Sequence, residues 1–547
     1  MKNKRQYLLI ALLALTALVY WPLTSNRFIY WDDYFQFLGN PAFHQITWAG
    51  LLAIFRPDNN PLGMYQPLAT AIFTATYQLF GPSPLPFHLL SLLFHLLNIL
   101  LVFWLLNKLS RRFWPSFITS AFFALHPVQV ESVAWISAFS NLLWSSAALS
   151  AMIIYLYHLK QPKKWQLALI YLLTIGGLLA KFAAAVIPVY LYLLDWLKGR
   201  WSSRLFWQKI FLLIIAFFFG LLAVTIRQSS HGHPLDMPAY TFVDTLWLSA
   251  AAPVLHLSKV VWPVGLNNFY PYPAKTPYLP WWIYASAITT IILLSAILLS
   301  KRKSLIAGAV FYIISLALIF KIVPSSTPIM ADRYLYLAAL PVYWLAAEGL
   351  LALHRWRKYA AITVTVIVFG VLGYLSYAQT KTWFNDYTVW QRVVDLTDSA
   401  RSHALVGKTY MIVGDYTQAL YHYQRTVALN PGDSVTWNNI AVMEGDLYGR
   451  WQQSLAASQK ALSIDAESQF NWYRTGLAEA KLGQNQKALN HFNQAIVIEP
   501  DFAEAYYEKA LLLEKIKKHK EACRNLAKAR DLDYNEAKKL YTTLCRQ

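Results

Sequence analysis

The chain has 547 residues, of which 56% are hydrophobic, 16% aromatic and only 14% charged, and it carries a net charge of +20. Soluble proteins contain about 25% charged residues, so most of this chain is built for lipid. The excess of Lys and Arg falls in short clusters between apolar runs, where topology determinants belong, which argues against nucleic-acid binding.

The two cysteines, Cys523 and Cys545, lie near the C-terminal end and exclude a cysteine-based zinc or disulfide framework for the bulk of the chain. They pair only if their segment faces an oxidising compartment.

Lys2, Asn3, Lys4 and Arg5 precede an apolar run that continues into Trp21 and Pro22 rather than into a small-residue cleavage site. The expectation is an uncleaved first span over 6–23, starting inside. An outer loop over 24–86 follows, and it holds an adjacent acidic pair, Asp32 and Asp33, in an aromatic setting. Carboxylates beside a bilayer are costly and mark functional sites, although acidic residues also suit a helix start; position and charge alone leave both readings open.

Further spans are expected at 87–107, 113–126, 138–158, 165–180, 182–197 and 206–226, with basic turns between them falling on one side. The apolar stretch 244–262 breaks this order if it crosses, because Lys301, Arg302 and Lys303 then land outside. Treated as a surface or re-entrant segment, it leaves spans at 281–300, 304–320, 333–352 and 359–378, eleven in all, with the C-terminal region outside.

After residue 380 the composition changes. Gly414-Asp415, Gly449-Arg450, Gly483-Gln484 and Lys517-Lys518 recur at spacings of 35, 34 and 34. Each is followed by a small residue (Ala419, Ser454, Ala488, Ala522) and seven positions later by another compact one (Thr426, Ala461, Ala495, Ala529). A helix-turn-helix period of about 34 residues is the tetratricopeptide signature. Four repeats are expected over 402–540, in a domain spanning 402–547 with a capping helix, joined by a linker at 381–401 to a membrane domain over 1–380. The fold class is all-α: a polytopic bundle followed by a superhelix whose groove suits an extended partner.

This topology gathers unusual residues on the outer side: Asp32 and Asp33, Arg56 and Tyr65, His126 and Glu131, Lys181, and Asp332 with Arg333. Singly, Glu131 reads as a helix cap, Lys181 as a snorkelling side chain, and Asp332 as the partner of Arg333. Jointly, carboxylates beside cations describe a site for a phosphorylated lipid substrate at the outer leaflet. His88, His95 and Asn98 read as interhelical hydrogen-bond partners. His231 and His233 are weak metal candidates, and no clear ligand set appears, so no cofactor is required and a divalent metal is optional.

The segments YWDDYFQFLGNP, MYQPLATAIFTATYQLFGPSPLPFHLLSLLFHLLN, ALHPVQVESVAWIS and ADRYLYLAALP resemble the GT-C membrane glycosyltransferases that carry tetratricopeptide repeats, the TMTC-like O-mannosyltransferases and their bacterial relatives. The resemblance implies transfer of a sugar from a polyprenyl-phosphate donor at the outer face. It places the catalytic base, or acceptor-positioning group, on Asp32, with Asp33 as the alternative. His126 and Glu131 match the family's HP-x-x-x-E segment, Lys181 a lysine ending the fifth apolar segment, and Arg333 the arginine of the last motif.

Two departures stand out. Ala138–Asn141 replaces a stretch that is often charged, and Phe182 follows Lys181 where a polar residue is common. They bear on the sugar or the acceptor more than on the reaction class.

The mechanism implied is a direct, inverting displacement. Asp32 activates an acceptor hydroxyl, Lys181 and Arg333 hold the phosphate, and the repeats recruit a protein or glycan acceptor. The expected location is a bacterial inner membrane, with the N-terminus cytoplasmic and the repeats periplasmic. The competing reading is a non-catalytic membrane scaffold for a secretion or polysaccharide-assembly complex, which would tolerate loss of either carboxylate.

Overall fold

The computed structural model describes the chain except residues 1, 30–31, 41–42, 45, 58–63, 230–239, 274–277, 318–328 and 546–547. The histidines at 231 and 233 therefore lie outside the described residues. Among them the regular secondary structure is helical, apart from one isolated antiparallel bridge between Tyr270 and Met330. The chain divides into two compact units, Met1–Leu396 and Thr397–Gln547.

The first unit begins with α1 (Lys2–Val19), followed by α2 (Trp48–Phe55), α3 (Pro67–Phe80), α4 (Pro84–Ser110) and α5 (Phe113–Leu125). A short α6 (Val130–Ala134) precedes α7 (Phe139–His158), α8 (Lys164–Ala180) and α9 (Ile187–Lys198). The unit continues through α10 (Ser203–Ser229), α11 (Phe242–Val261), α12 (Trp281–Leu299) and α13 (Lys303–Ala317). It closes with α14 (Leu335–Ala338), α15 (Leu340–Trp356), α16 (Lys358–Thr382) and α17 (Asp386–Leu396).

The outward faces of α10, α12 and α16 expose Phe211, Phe217, Phe218, Ile291, Ile292, Leu299, Val366 and Ile367. A surface of that kind is stable against lipid tails rather than water. The chain is a membrane protein. Among the described residues, five helices are long and apolar enough to cross a bilayer, or six if α14 and α15, bent by 62° together with the turn before them, form one span. Helices α5, α8 and α13 are apolar but shorter. The expectation of eleven spans rests on charge placement, and helix length alone delivers fewer.

Polar side chains clamp the bundle from inside, as expected where packing helices share an apolar solvent. His95 pairs through Nδ1 with the Tyr336 hydroxyl (2.9 Å), and Asn98 donates to that hydroxyl (3.2 Å) and to the Leu142 carbonyl (3.0 Å). The remaining oxygen of Asn98 accepts from Ser146 at 2.7 Å. A second knot joins α7, α9 and α10, where the Lys209 ammonium donates to Asp195 (2.6 Å) and Tyr155 (2.9 Å) and the Tyr155 hydroxyl donates to Asp195 (2.5 Å).

The second unit stacks helix pairs Ala400–Val413/Tyr416–Leu429, Ser434–Val442/Trp451–Ile464, Gln469–Lys481/Asn485–Ile498 and Ala503–Lys515/His519–Asp531, then caps them with Asn535–Leu544. The recurring turn positions have positive φ: Gly414 (82°), Gly449 (67°), Gly483 (80°) and, in the last repeat, Lys517 (65°). A left-handed residue there ends one helix and starts the next. The 35-residue first interval has a physical cause. A π-helical turn at Met443–Leu447 absorbs the extra residue before Gly449, which keeps the pairing of helices in step. Cys523 and Cys545 form a disulfide that ties the capping helix to the last repeat.

Candidate functional site

The candidate residues lie in the connections between apolar helices. Asp32 and Asp33 sit immediately before a π-helical turn, Tyr34–Leu38, a distortion frequent at functional sites.

The two carboxylates have different surroundings. Asp33 is buried (3% exposed) and accepts hydrogen bonds from the Ile29 amide (2.9 Å), the Ser137 amide (2.9 Å) and the Ser137 hydroxyl. Burial pushes its carboxyl up to about 6, with the bonds from Ser137 and Ile29 pulling the other way. Asp33 thus tethers the first loop to the turn before α7.

Asp32 is half-buried and its side chain makes no hydrogen bond to the described residues. Burial pushes it up to about 7; Arg333 and Lys181 pull it down, and Asp33 adds to the push. It is the carboxylate without a hydrogen-bonded tether among the described residues.

Lys181 ends α8 in an extended conformation, which aims its ammonium at Asn141 Oδ1 (2.6 Å). Burial, and then Arg333, bring it down to about 7, against the pull of Glu131 and Asp32. Arg333 is ion-paired with Glu131, whose other carboxylate oxygen accepts from the Arg333 amide at 2.6 Å. The guanidinium lies over the Trp135 ring and beside that of Tyr334, each centroid at 5.1 Å. The ion pair engages one guanidinium nitrogen, and the other N–H groups make no hydrogen bond to the described residues.

The remaining sequence candidates take other positions. Asp332 does not pair with Arg333. It turns to the loop after α11, accepting from the Asn267 amide (3.1 Å) and the Tyr270 hydroxyl (2.8 Å). His126 caps the turn before α6, accepting from Val128 at Nδ1 (3.3 Å), while Nε2 meets the Val260 carbonyl at 2.9 Å. Arg56 ends α2 exposed, and the Tyr65 hydroxyl donates to the Phe55 carbonyl at 3.0 Å. Neither shares a hydrogen bond with the charged cluster among the described residues.

Asp32, Glu131, Lys181 and Arg333 are therefore electrostatically coupled, and Asp332 joins them through its repulsion with Glu131. Sequence reasoning missed Ser137, Asn141 and Trp135, which fix Asp33, Lys181 and Arg333 respectively. Their only signal was their place in the segment VESVAWISAFSN, where Asn141 stands within the departure from the family pattern. Among the described residues, no group of three or more His, Cys, Asp or Glu side chains gathers as a metal site.

Comparisons with known proteins cover both units. A tetratricopeptide-repeat family model matches residues 476–517. A protein O-mannosyl-transferase of Caenorhabditis elegans is 23% identical over 77% of this chain and 63% of its own length. The human protein O-mannosyl-transferase TMTC3 is 24% identical over 95% of this chain and 63% of its own. The chain thus spans less than two thirds of the length of these curated relatives. Among solved structures, the crystal structure of MamA aligns with a TM-score of 0.26 and 22% identity, covering 30% of this chain and 96% of that one.

Proposed function

We propose that the chain is a membrane glycosyltransferase that moves a sugar from a polyprenyl-phosphate donor to a hydroxyl of a protein acceptor at the outer face, with inversion. The similarity to proteins named protein O-mannosyl-transferases supports the reaction class. The single observation that carries the site assignment is the split between the two aspartates. Asp33 is consumed by its tether to Ser137 and Ile29, while Asp32 faces Arg333 and Lys181 with its oxygens uncommitted among the described residues.

In this reading the Asp32 carboxylate accepts the proton of the acceptor hydroxyl as that oxygen bonds to the anomeric carbon. The bond from the anomeric carbon to the phosphate oxygen breaks, and its electron pair leaves with the phosphate. Lys181 and Arg333 stabilise that charge from fixed positions, which lowers the barrier because no reorganisation is needed during the step. Glu131 acts as a positioning residue, holding the guanidinium between Trp135 and Tyr334. A single displacement needs no covalent sugar–enzyme intermediate. The repeats supply the acceptor-holding surface, and the disulfide supports their placement on the oxidising, outer side.

The test is transfer of labelled sugar from polyprenyl-phosphate donors into membrane protein acceptors by the full chain, with Asp32→Asn and Asp33→Asn alongside. Transfer that is lost in folded Asp32→Asn supports the assignment. Equal activity of Asp32→Asn and wild type refutes Asp32 as the base. Failure of the wild type with every donor, while the repeats still capture partners, turns the reading to a scaffold.

A further inference from the structure

Beyond the charged cluster, the first unit contains a second polar recess. It is walled by Asn267 and Asn268 from the loop after α11, Gln379, Thr382 and Trp383 at the end of α16, and Arg392 on α17. Asn267, Asn268 and Trp383 are 3%, 4% and 3% exposed. Among the described residues, both polar atoms of each asparagine, the indole Nε1 of Trp383 and Nε of Arg392 have no hydrogen-bond partner. Buried polar groups are nearly always paired, because an unpaired one loses its bonds to water without replacement. So many orphaned donors and acceptors on one wall mark a place that something else completes.

The chemistry of that wall selects the partner. The two carboxamide oxygens require donors, which a phosphate or carboxylate lacks. The carboxamide nitrogens, the indole and the guanidinium require acceptors, which an ammonium lacks. A hydroxyl is both at once. Leu266 and Val389 complete the lining with apolar surface, so the recess offers polar contacts along one edge and carbon along another, as a sugar ring does.

The recess is also coupled to the charged cluster. Trp383 stacks on Trp135 at 5.7 Å between centroids and 22° between planes, and Trp135 carries the Arg333 guanidinium on its ring at 5.1 Å. The Asn267 amide holds Asp332, the neighbour of Arg333.

We infer that this recess is a subsite for a neutral sugar, taking its hydroxyl-bearing edge between Asn267, Asn268 and Trp383. The space is narrow, with room for about one water-sized group, so a hydroxyl or hydroxymethyl group enters and the ring lies outside it. The assignment of a sugar rather than another neutral hydroxylic ligand rests on the glycosyltransferase reading.

The experiment measures binding of methyl hexosides (mannoside, glucoside and galactoside) to the full chain in lipid nanodiscs by saturation-transfer NMR. Wild type, Asn268→Leu, Gln379→Leu and Asp32→Asn are compared, with thermal unfolding as the check on folding. The expected result is binding of at least one hexoside, weakened tenfold or more by Asn268→Leu and Gln379→Leu and unchanged in Asp32→Asn. If Asn268→Leu does not fold, the more peripheral Gln379→Leu decides. Absence of binding by every hexoside, which would leave the recess to ordered water, overturns the inference. Equal affinity in folded leucine variants does the same. Sugar transfer by the wild type that the leucine variants leave intact sinks the subsite alone. Binding that depends on Asn268 without transfer from any donor sinks the glycosyltransferase reading alone.

Discussion

Arg333 and Glu131 stand 202 residues apart in the chain and form a two-point contact, guanidinium to one carboxylate oxygen and backbone amide to the other. The side chain of Glu131 is only 2% exposed and that of Arg333 13% exposed. Removing one member of such a pair leaves an uncompensated buried charge, which costs about 3–5 kcal/mol. Glu131→Gln and Arg333→Gln are each expected to lower the unfolding midpoint of the detergent-solubilised protein, and the double variant by less than the sum. Additive losses in that cycle would show that the pair is not coupled.

The two aspartates are expected to separate stability from activity. Asp33→Asn keeps the size of the side chain, but its amide nitrogen presents hydrogens where Asp33 accepts from Ile29 or Ser137. Leaving a buried donor unsatisfied costs about 1–3 kcal/mol, so the variant should melt early. Asp32→Asn should melt no earlier than wild type and fail in transfer. A thermal-shift series beside the transfer assay reads both, and the reverse pattern would move the base to Asp33.

Much of this arrangement was legible in the sequence. The repeat period came through because small residues must recur wherever two helices touch, as at Ala419 and Ala488, both fully buried. The grouping of Glu131, Lys181 and Arg333 was visible because each is a charge set beside an apolar run. The division of labour between Asp32 and Asp33 was not. It depends on where the Ser137 amide points, 104 residues further on, and no periodicity encodes that. The single-residue alternative, Asp332 as the partner of its neighbour, fails for the same reason: adjacent side chains in a 3-10 turn diverge, and Tyr270 lies outside any motif.

The pH dependence follows from two groups displaced toward neutrality in opposite senses. Asp32, raised to about 7, must lose its proton to act as a base, so transfer rises with pH through that region. Lys181, lowered to about 7, must keep its proton to hold phosphate, so transfer falls on the alkaline side. The rate profile should be a narrow bell whose limbs belong to the coupled group. Lys181→Arg, charged throughout, should extend the alkaline limb while leaving the acid limb in place. For stability the sign for Asp32 is separate. A carboxyl raised in the native state adds stability below its unfolded value of about 4, and that contribution is lost as pH rises toward 7. A flat rate profile between pH 5 and 9 would contradict both roles.

In the repeats, Gly407 is a tight packing constraint. A Cβ there would meet the Tyr423 ring at 2.8 Å and the Ala419 carbonyl oxygen at 3.3 Å. Alanine normally improves a helix by about 0.5–1 kcal/mol over glycine, but overpacking costs about 1–3 kcal/mol, and here the clash wins. Gly407→Ala should raise amide hydrogen exchange across Ala400–Leu429 in the full chain. Slower exchange would mean that Tyr423 moves aside without cost.

The disulfide between Cys523 and Cys545 closes a sequence separation of 22 residues, and a closed loop of that size is worth about 3 kcal/mol in the chain-entropy account. Reduction, or Cys545→Ser, should therefore loosen the capping helix first, seen as faster exchange in Asn535–Leu544 while the membrane unit keeps its unfolding midpoint. The same bond also tests topology. Disulfides persist outside the reducing cytoplasm, and eleven crossings place the repeats outside when the N-terminus is inside. Thiol labelling in intact cells, before and after reduction, should find both cysteines blocked until the reductant is added. Free thiols that a membrane-permeant reagent reaches and an impermeant one does not would put the repeats inside. That result would remove one crossing or add one, with the segment Phe242–Val261 the first to reassign, and it would separate the repeats from the outer-face cluster they are proposed to serve.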